Sequence, residues 1–127
     1  TYLLEDTESG RMAPSPRAAV MERLTGAMDR QVVLCGHSHR QAVVQIPGGP
    51  MILNPGTVGC PVSADNKMAR DLEFRSPHAR YAILTRRGGR WGADLHVLPY
   101  DWDRAAAQAE RAGSEGWREA LTIGTVP

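Results

Sequence analysis

Two histidines separated by a single residue, His37 and His39, follow directly on the apolar run Val32-Val33-Leu34-Cys35 and Gly36. Imidazole is a metal ligand, so their relative placement decides whether they can act together. In an extended segment residues two apart share a face, and a rise of roughly 3.3 Å per residue sets the two side-chain roots about 6.6 Å apart. In a helix the same spacing would turn them away from each other. The pair is thus placed to reach one metal, or two adjacent metals about 3.5–4 Å apart. Gly36 lets the backbone bend at the strand end, where the ligands of α/β sheets gather. The plain alternative is a pair of surface histidines in a loop.

A second stretch, Met51-Ile52-Leu53-Asn54-Pro55-Gly56-Thr57-Val58-Gly59, reads as a strand closing in a tight turn. Asparagine can bond the backbone ahead of it, proline fixes φ, and glycine accepts a positive φ. Asn54 is therefore expected in an Asx-type turn.

Cys35-Gly36-His37-Ser38-His39 resembles the G-H-[TS]-H signature of calcineurin-like metallophosphoesterases. Asn54-Pro55-Gly56-Thr57-Val58-Gly59 resembles the N-P-G-[ST]-V-G stretch that follows it in their small bacterial and archaeal branch. A short hairpin from Arg40 to Met51 separates the two motifs, as in that family. Ala79 to Leu84 and Val97 to Asp101 are similar to its last two strands. The resemblance is to the C-terminal part of the family only. It implies the C-terminal portion of a four-layer αββα sandwich, an α/β fold with a mixed sheet and flanking helices, with residues 1–127 as part of one domain. It also implies metal-dependent hydrolysis of phosphomonoesters or phosphodiesters. A metal pair supplies an activated water, by bringing the pKa of water from 15.7 to ~7, and relieves charge on phosphorus. The implied cofactors are two divalent ions, Mn, Fe or Zn with Mn favoured, His37 serving one and His39 its neighbour. Asn54 could border the phosphate.

The family's D-x-H, G-D and G-N-H-[DE] motifs and its single upstream histidine have no counterpart in the sequence. Two histidines fall short of the three protein ligands usual for a catalytic zinc site. Asp94-Leu95-His96 has the D-x-H spelling, but it falls mid-strand on a polar face and no G-D follows, so it is read as a decoy. The chain is accordingly expected to be the C-terminal segment of a phosphoesterase, inactive alone, and its start at Thr1 agrees. Its partners would be a phosphoester substrate and the missing N-terminal part of the same domain, or a second copy of the chain covering the same exposed sheet face. The alternative is a non-catalytic family member serving as a binding or scaffold module. A third reading is an unrelated small α/β domain with chance motifs.

Composition fits one modest globular domain: 127 residues, 42% hydrophobic, 23% charged. A formal net charge of +1 gives no reason to invoke nucleic acid or a membrane surface. No apolar run approaches the ~18 residues of a membrane span, and no export signal is legible, so a cytoplasmic protein is expected. Cys35 and Cys60 are the only cysteines and read as buried thiols rather than a disulfide.

The positioning elements follow from pattern. Tyr2 to Leu4 suggest a short turn or helix, and Met12 to Pro16, with two prolines, a loop. Ser15-Pro16 fits the N-cap and first position of a helix to about Met28, with Ala19, Val20, Leu24, Ala27 and Met28 on its apolar stripe. Strands are expected at Val32–Cys35, Gln41–Ile46, Met51–Leu53, Arg80–Thr85 and Trp91–Leu98. Pro47-Gly48-Gly49-Pro50 and Arg86 to Arg90 are the hairpin turns. Residues 61–78 read as a long irregular loop whose cations could hold an anion. Asp101 or Asp103 is expected to cap a helix from Arg104 to Arg111, and a second short helix should span Glu115 to Leu121.

Overall fold

The computed structural model describes residues 2–8, 11–59 and 76–123. The described chain is a mixed α/β structure with three small sheets and three helices. Cys60 and most of the expected 61–78 loop lie outside the described residues.

The central sheet has three strands: β3 (Val32–Leu34), β4 (Ala42–Gln45) and β5 (Met51–Asn54), in the order β3-β5-β4. β3 runs parallel to β5, and β4 runs antiparallel to it. Their register aligns Val33, Ile52 and Val44 in one rung. This rung packs with Leu4, Val20, Leu24 and Ile46, so the buried core lies between the sheet and the N-terminal helix α1 (Arg17–Arg23). All four residues of β5 are buried, as a central strand requires. The β4–β5 turn is closed by the Gly49 N–H donating to the Ile46 carbonyl at 3.0 Å. Proline then glycine, the latter at φ +72°, occupy its middle, the residue order a type II turn demands.

Two expectations for the N-terminal segment are overturned. β1 (Glu5–Glu8) pairs antiparallel with β2 (Arg11–Pro14), a strand where a loop from Met12 to Pro16 was expected. Pro14 is tolerated because it closes the register opposite Glu5 on a two-stranded ribbon. The helix is shorter than expected, with Pro16 as its N-cap and Leu24 as its C-cap. From Leu24 the chain continues in single turns, the Ala27 N–H donating to Leu24 and the Arg30 N–H to Ala27, around Gly26 at φ +86°. Ala27 and Met28 still pack on the core, so the expected apolar stripe is present although the helix that was to carry it ends earlier. Ser15 does not cap the helix. Its hydroxyl accepts from Arg23 at 2.7 Å, and the same guanidinium donates to the carbonyls of Leu3 and Glu5 and pairs with Asp6. Arg23 thus ties the hairpin to α1 through groups up to 20 residues away in sequence.

β6 (Ala79–Arg87) and β7 (Arg90–Leu98) form a separate antiparallel hairpin. Its turn residues Gly88 and Gly89 both have positive φ, the mirror-image geometry that matches strand twist. Trp91, Ala93, Leu95 and Val97 share a face, as their alternation predicts. Asp94 and His96 lie mid-strand on the other face, where His96 stacks on Tyr81 with centroids 4.7 Å apart. Helix α2 (Trp102–Arg111) is capped by Asp101, whose carboxylate accepts from the Arg104 N–H at 3.0 Å. It ends at Gly113, φ +73°, with the Ser114 N–H on the Ala109 carbonyl and the Gly113 N–H on the Glu110 carbonyl. Helix α3 (Glu115–Ile123) folds back, burying Ala106, Ala120 and Leu121. No helix among the described residues is long and apolar enough to cross a membrane.

The Arg23 guanidinium beside Asp6 holds its carboxyl below the ordinary 3.8. A depressed folded-state value makes the contribution of this pair complete above about pH 4 and lost as pH falls through the folded value. In urea titrations across acidic pH, Asp6→Asn should therefore be less stable than the parent near neutrality, and the gap should close on acidification.

Candidate metal centre

Because β3 and β5 are parallel, their carboxyl ends lie side by side, and both motifs leave the sheet there. The Cys35 N–H still donates to the Leu53 carbonyl at 2.9 Å, one step beyond β3. After Gly36 the chain departs from the expected extended path. His37 adopts φ +71° and His39 φ +61°, and they are the only described non-glycine residues in the left-handed region. The Ser38 N–H donates to the Gly36 carbonyl at 2.9 Å across His37. With positive φ at its centre this is the direct γ-turn, the rare and strained form of the two. The shared-face argument from an extended backbone is thus replaced: the two imidazoles are placed by a pair of left-handed residues flanking Ser38.

Ser38 is what fixes this conformation. Its hydroxyl donates to Glu5 Oε1 at 3.0 Å and accepts from Asn54 Nδ2 at 2.9 Å. Asn54 Nδ2 also approaches the Gly36 carbonyl at 3.4 Å, and Asn54 Oδ1 accepts from the Gly56 N–H at 3.0 Å. Asn54 is fully buried and Glu5 is 6% exposed. Asn54 therefore makes the expected Asx turn and, with the other end of its amide, holds the histidine loop. Gly56 is required beside it: at φ +84° an added Cβ would lie 2.8 Å from Gln41 Cγ and 3.0 Å from Arg80 Cβ. Nothing local in the sequence indicated Glu5 or Ser38, because Glu5 lies 33 residues from its partner.

The His37 ring is exposed on one side and stacks on Tyr2, with centroids 4.8 Å apart and an interplanar angle of 21°. His39 is half-buried. Burial, with the Glu5 carboxylate adding to it, pushes the Cys35 thiol up to about 11. In the metal-free chain Cys35 is accordingly a protonated, half-buried thiol at neutral pH. Among the described residues, no group of three or more His, Cys, Asp or Glu side chains is placed to hold one ion. Asp94 and His96 belong to no such group among the described residues.

No protein-family model, no curated protein and no solved structure matches this chain.

The backbone at residue 37 can be tested apart from its ring. A left-handed conformation costs a residue with a Cβ about 1–2 kcal/mol relative to what glycine accepts. His37→Ala and His37→Gly both remove the imidazole. The glycine variant should be the more stable by about 1 kcal/mol in urea unfolding, the reverse of the order at an ordinary loop position.

Proposed function

We propose that this chain is the C-terminal segment of a metal-dependent phosphoesterase domain, with His37 and His39 each serving one of two divalent ions. The observation that carries this reading is the pair of left-handed histidines held by buried hydrogen bonds at the carboxyl ends of two parallel strands. Backbone strain kept in place by its surroundings clusters at functional sites. The carboxyl ends of parallel strands are where α/β sheets bind ligands. Imidazole suits Mn, Fe or Zn, and we favour Mn.

The described residues do not by themselves complete a coordination sphere, so no hydrolytic step is derived from them. In this proposal the remaining ligands come from an N-terminal part of the same domain, and the whole is the four-layer αββα sandwich. The exposed apolar side chains support it. Leu34 is 64% exposed beside the free edge of β3, and Ile83 and Val97 are 47% and 50% exposed on opposite faces of the β6–β7 hairpin. Such surface calls for a cover, either the N-terminal part or a second copy. The substrate is a phosphomonoester or phosphodiester, and the compartment we assign is the cytoplasm.

The test compares two polypeptides with Mn²⁺ and a generic phosphodiester. This chain alone should bind metal weakly and leave the ester intact. A longer product of the same reading frame, carrying D-x-H and G-N-H-[DE] upstream, should bind two ions and hydrolyse it. His37→Ala should lower its kcat by more than the ~10–100-fold typical of outer-shell partners. Turnover by this chain alone that is lost on His37→Ala would overturn the segment reading. A longer product without metal would overturn the phosphoesterase itself.

A further inference from the structure

At the end of the sheet opposite the histidines, an open groove of about 610 Å³ lies between the β4–β5 turn and the tip of the β6–β7 hairpin. Its volume falls within the roughly 300–1,000 Å³ of small-molecule sites. Trp91 forms one wall, and its indole N–H donates to Gln31 Oε1 at 2.9 Å, which fixes the ring edge. Arg86, the cross-strand neighbour of Trp91, sets its guanidinium 5.8 Å from the indole centroid. Arg30 and Arg90 line the same groove, and so does Asp29, leaving the two guanidinium charges in excess. Arg30 meets Asp29 at 3.4 Å, but both side chains are largely exposed and such a pair holds an arginine weakly. Gly48 and Gly89 present bare backbone to the space, and a Cβ built on either meets nothing within 4 Å.

A pinned flat ring and the Arg30 and Arg90 guanidinium groups along the same groove together suit a ligand with one planar and one anionic part. Aromatic rings take bases by stacking, and arginine forks take phosphate oxygens by charge-assisted hydrogen bonds. We propose that this groove binds a nucleotide, its base stacked on Trp91 and its phosphate held by Arg90 and Arg30. The groove contains neither His37 nor His39, so the proposal stands apart from the metal reading. A free mononucleotide and a unit of a single-stranded nucleic acid share this chemistry.

The experiment is an amide and indole NMR titration of the chain with AMP, with adenosine, inorganic phosphate and a short single-stranded oligodeoxyadenylate as parallel arms. AMP should move the Trp91 indole N–H and the amides of Gly48, Gly49 and Gly89 on one saturable isotherm. Adenosine and phosphate should each bind at least about tenfold more weakly. Arg90→Gln, at an exposed position, should weaken AMP about tenfold while the β6–β7 amides keep their dispersion. An oligonucleotide that binds no tighter than AMP marks the free nucleotide as the ligand. One that binds tighter, with shifts spreading to Arg86 and Arg87, marks a nucleic-acid strand; either result supports ring-plus-phosphate recognition. The proposal is overturned if millimolar AMP moves none of the groove signals, if phosphate alone matches AMP, or if Arg90→Gln leaves AMP binding unchanged.

Discussion

The Asn54 side-chain amide is fully buried and must find partners for both its ends. It sits two residues beyond Ile52 on the same face of β5, so it points to the side covered by α1. Its oxygen closes the Asn54-Pro55-Gly56 turn, and its nitrogen takes the Ser38 hydroxyl. Ser38 passes the connection to Glu5 on β1. One buried hydrogen-bond chain thus joins three parts of the sequence that share no local pattern, and the histidine loop hangs from its middle.

The magnitudes explain why the loop can remain strained. Two left-handed residues with side chains cost about 1–2 kcal/mol each. An ordinary hydrogen bond contributes about 0.5–1.5 kcal/mol, and one to a carboxylate about 1.5–3. The Ser38–Glu5, Asn54–Ser38 and Asn54–Gly56 bonds are therefore of the size needed to offset the strain at His37 and His39. Breaking the Ser38–Glu5 bond would also leave the buried Glu5 carboxylate without this donor, a separate cost of about 1–3 kcal/mol. The loop is thus preorganised by its surroundings, and both imidazoles are presented without help from a regular element.

What could be read in the sequence was whatever local chemistry decides. The Gly88-Gly89 hairpin, the Asp101 cap, the buried run at β5 and the Asn54 turn all follow from residues within a few positions of each other. The N-terminal hairpin escapes a local reading because Pro14 and the nearby Pro16 argue for a loop, while Arg23 secures it from the end of a helix. The helix itself was read too long because an apolar stripe survives when the chain turns in shorter steps after Leu24. At the histidines the residue types were informative and the backbone was not. Alternation predicts an extended path, whereas Ser38 is drawn inward to Glu5 and Asn54 between two left-handed residues. The Trp91 groove was equally hidden, since Gln31 and Trp91 meet across 60 residues.

The metal reading requires that His37 and His39 both face one metal-binding locus. Following all four imidazoles by NMR during a Zn²⁺ titration of the chain measures this directly. Both the His37 and His39 signals should move on saturable isotherms, together or in two successive steps, while His78 and His96 stay in place. No response from either His37 or His39, or an equal response from His78 and His96, would contradict the proposal.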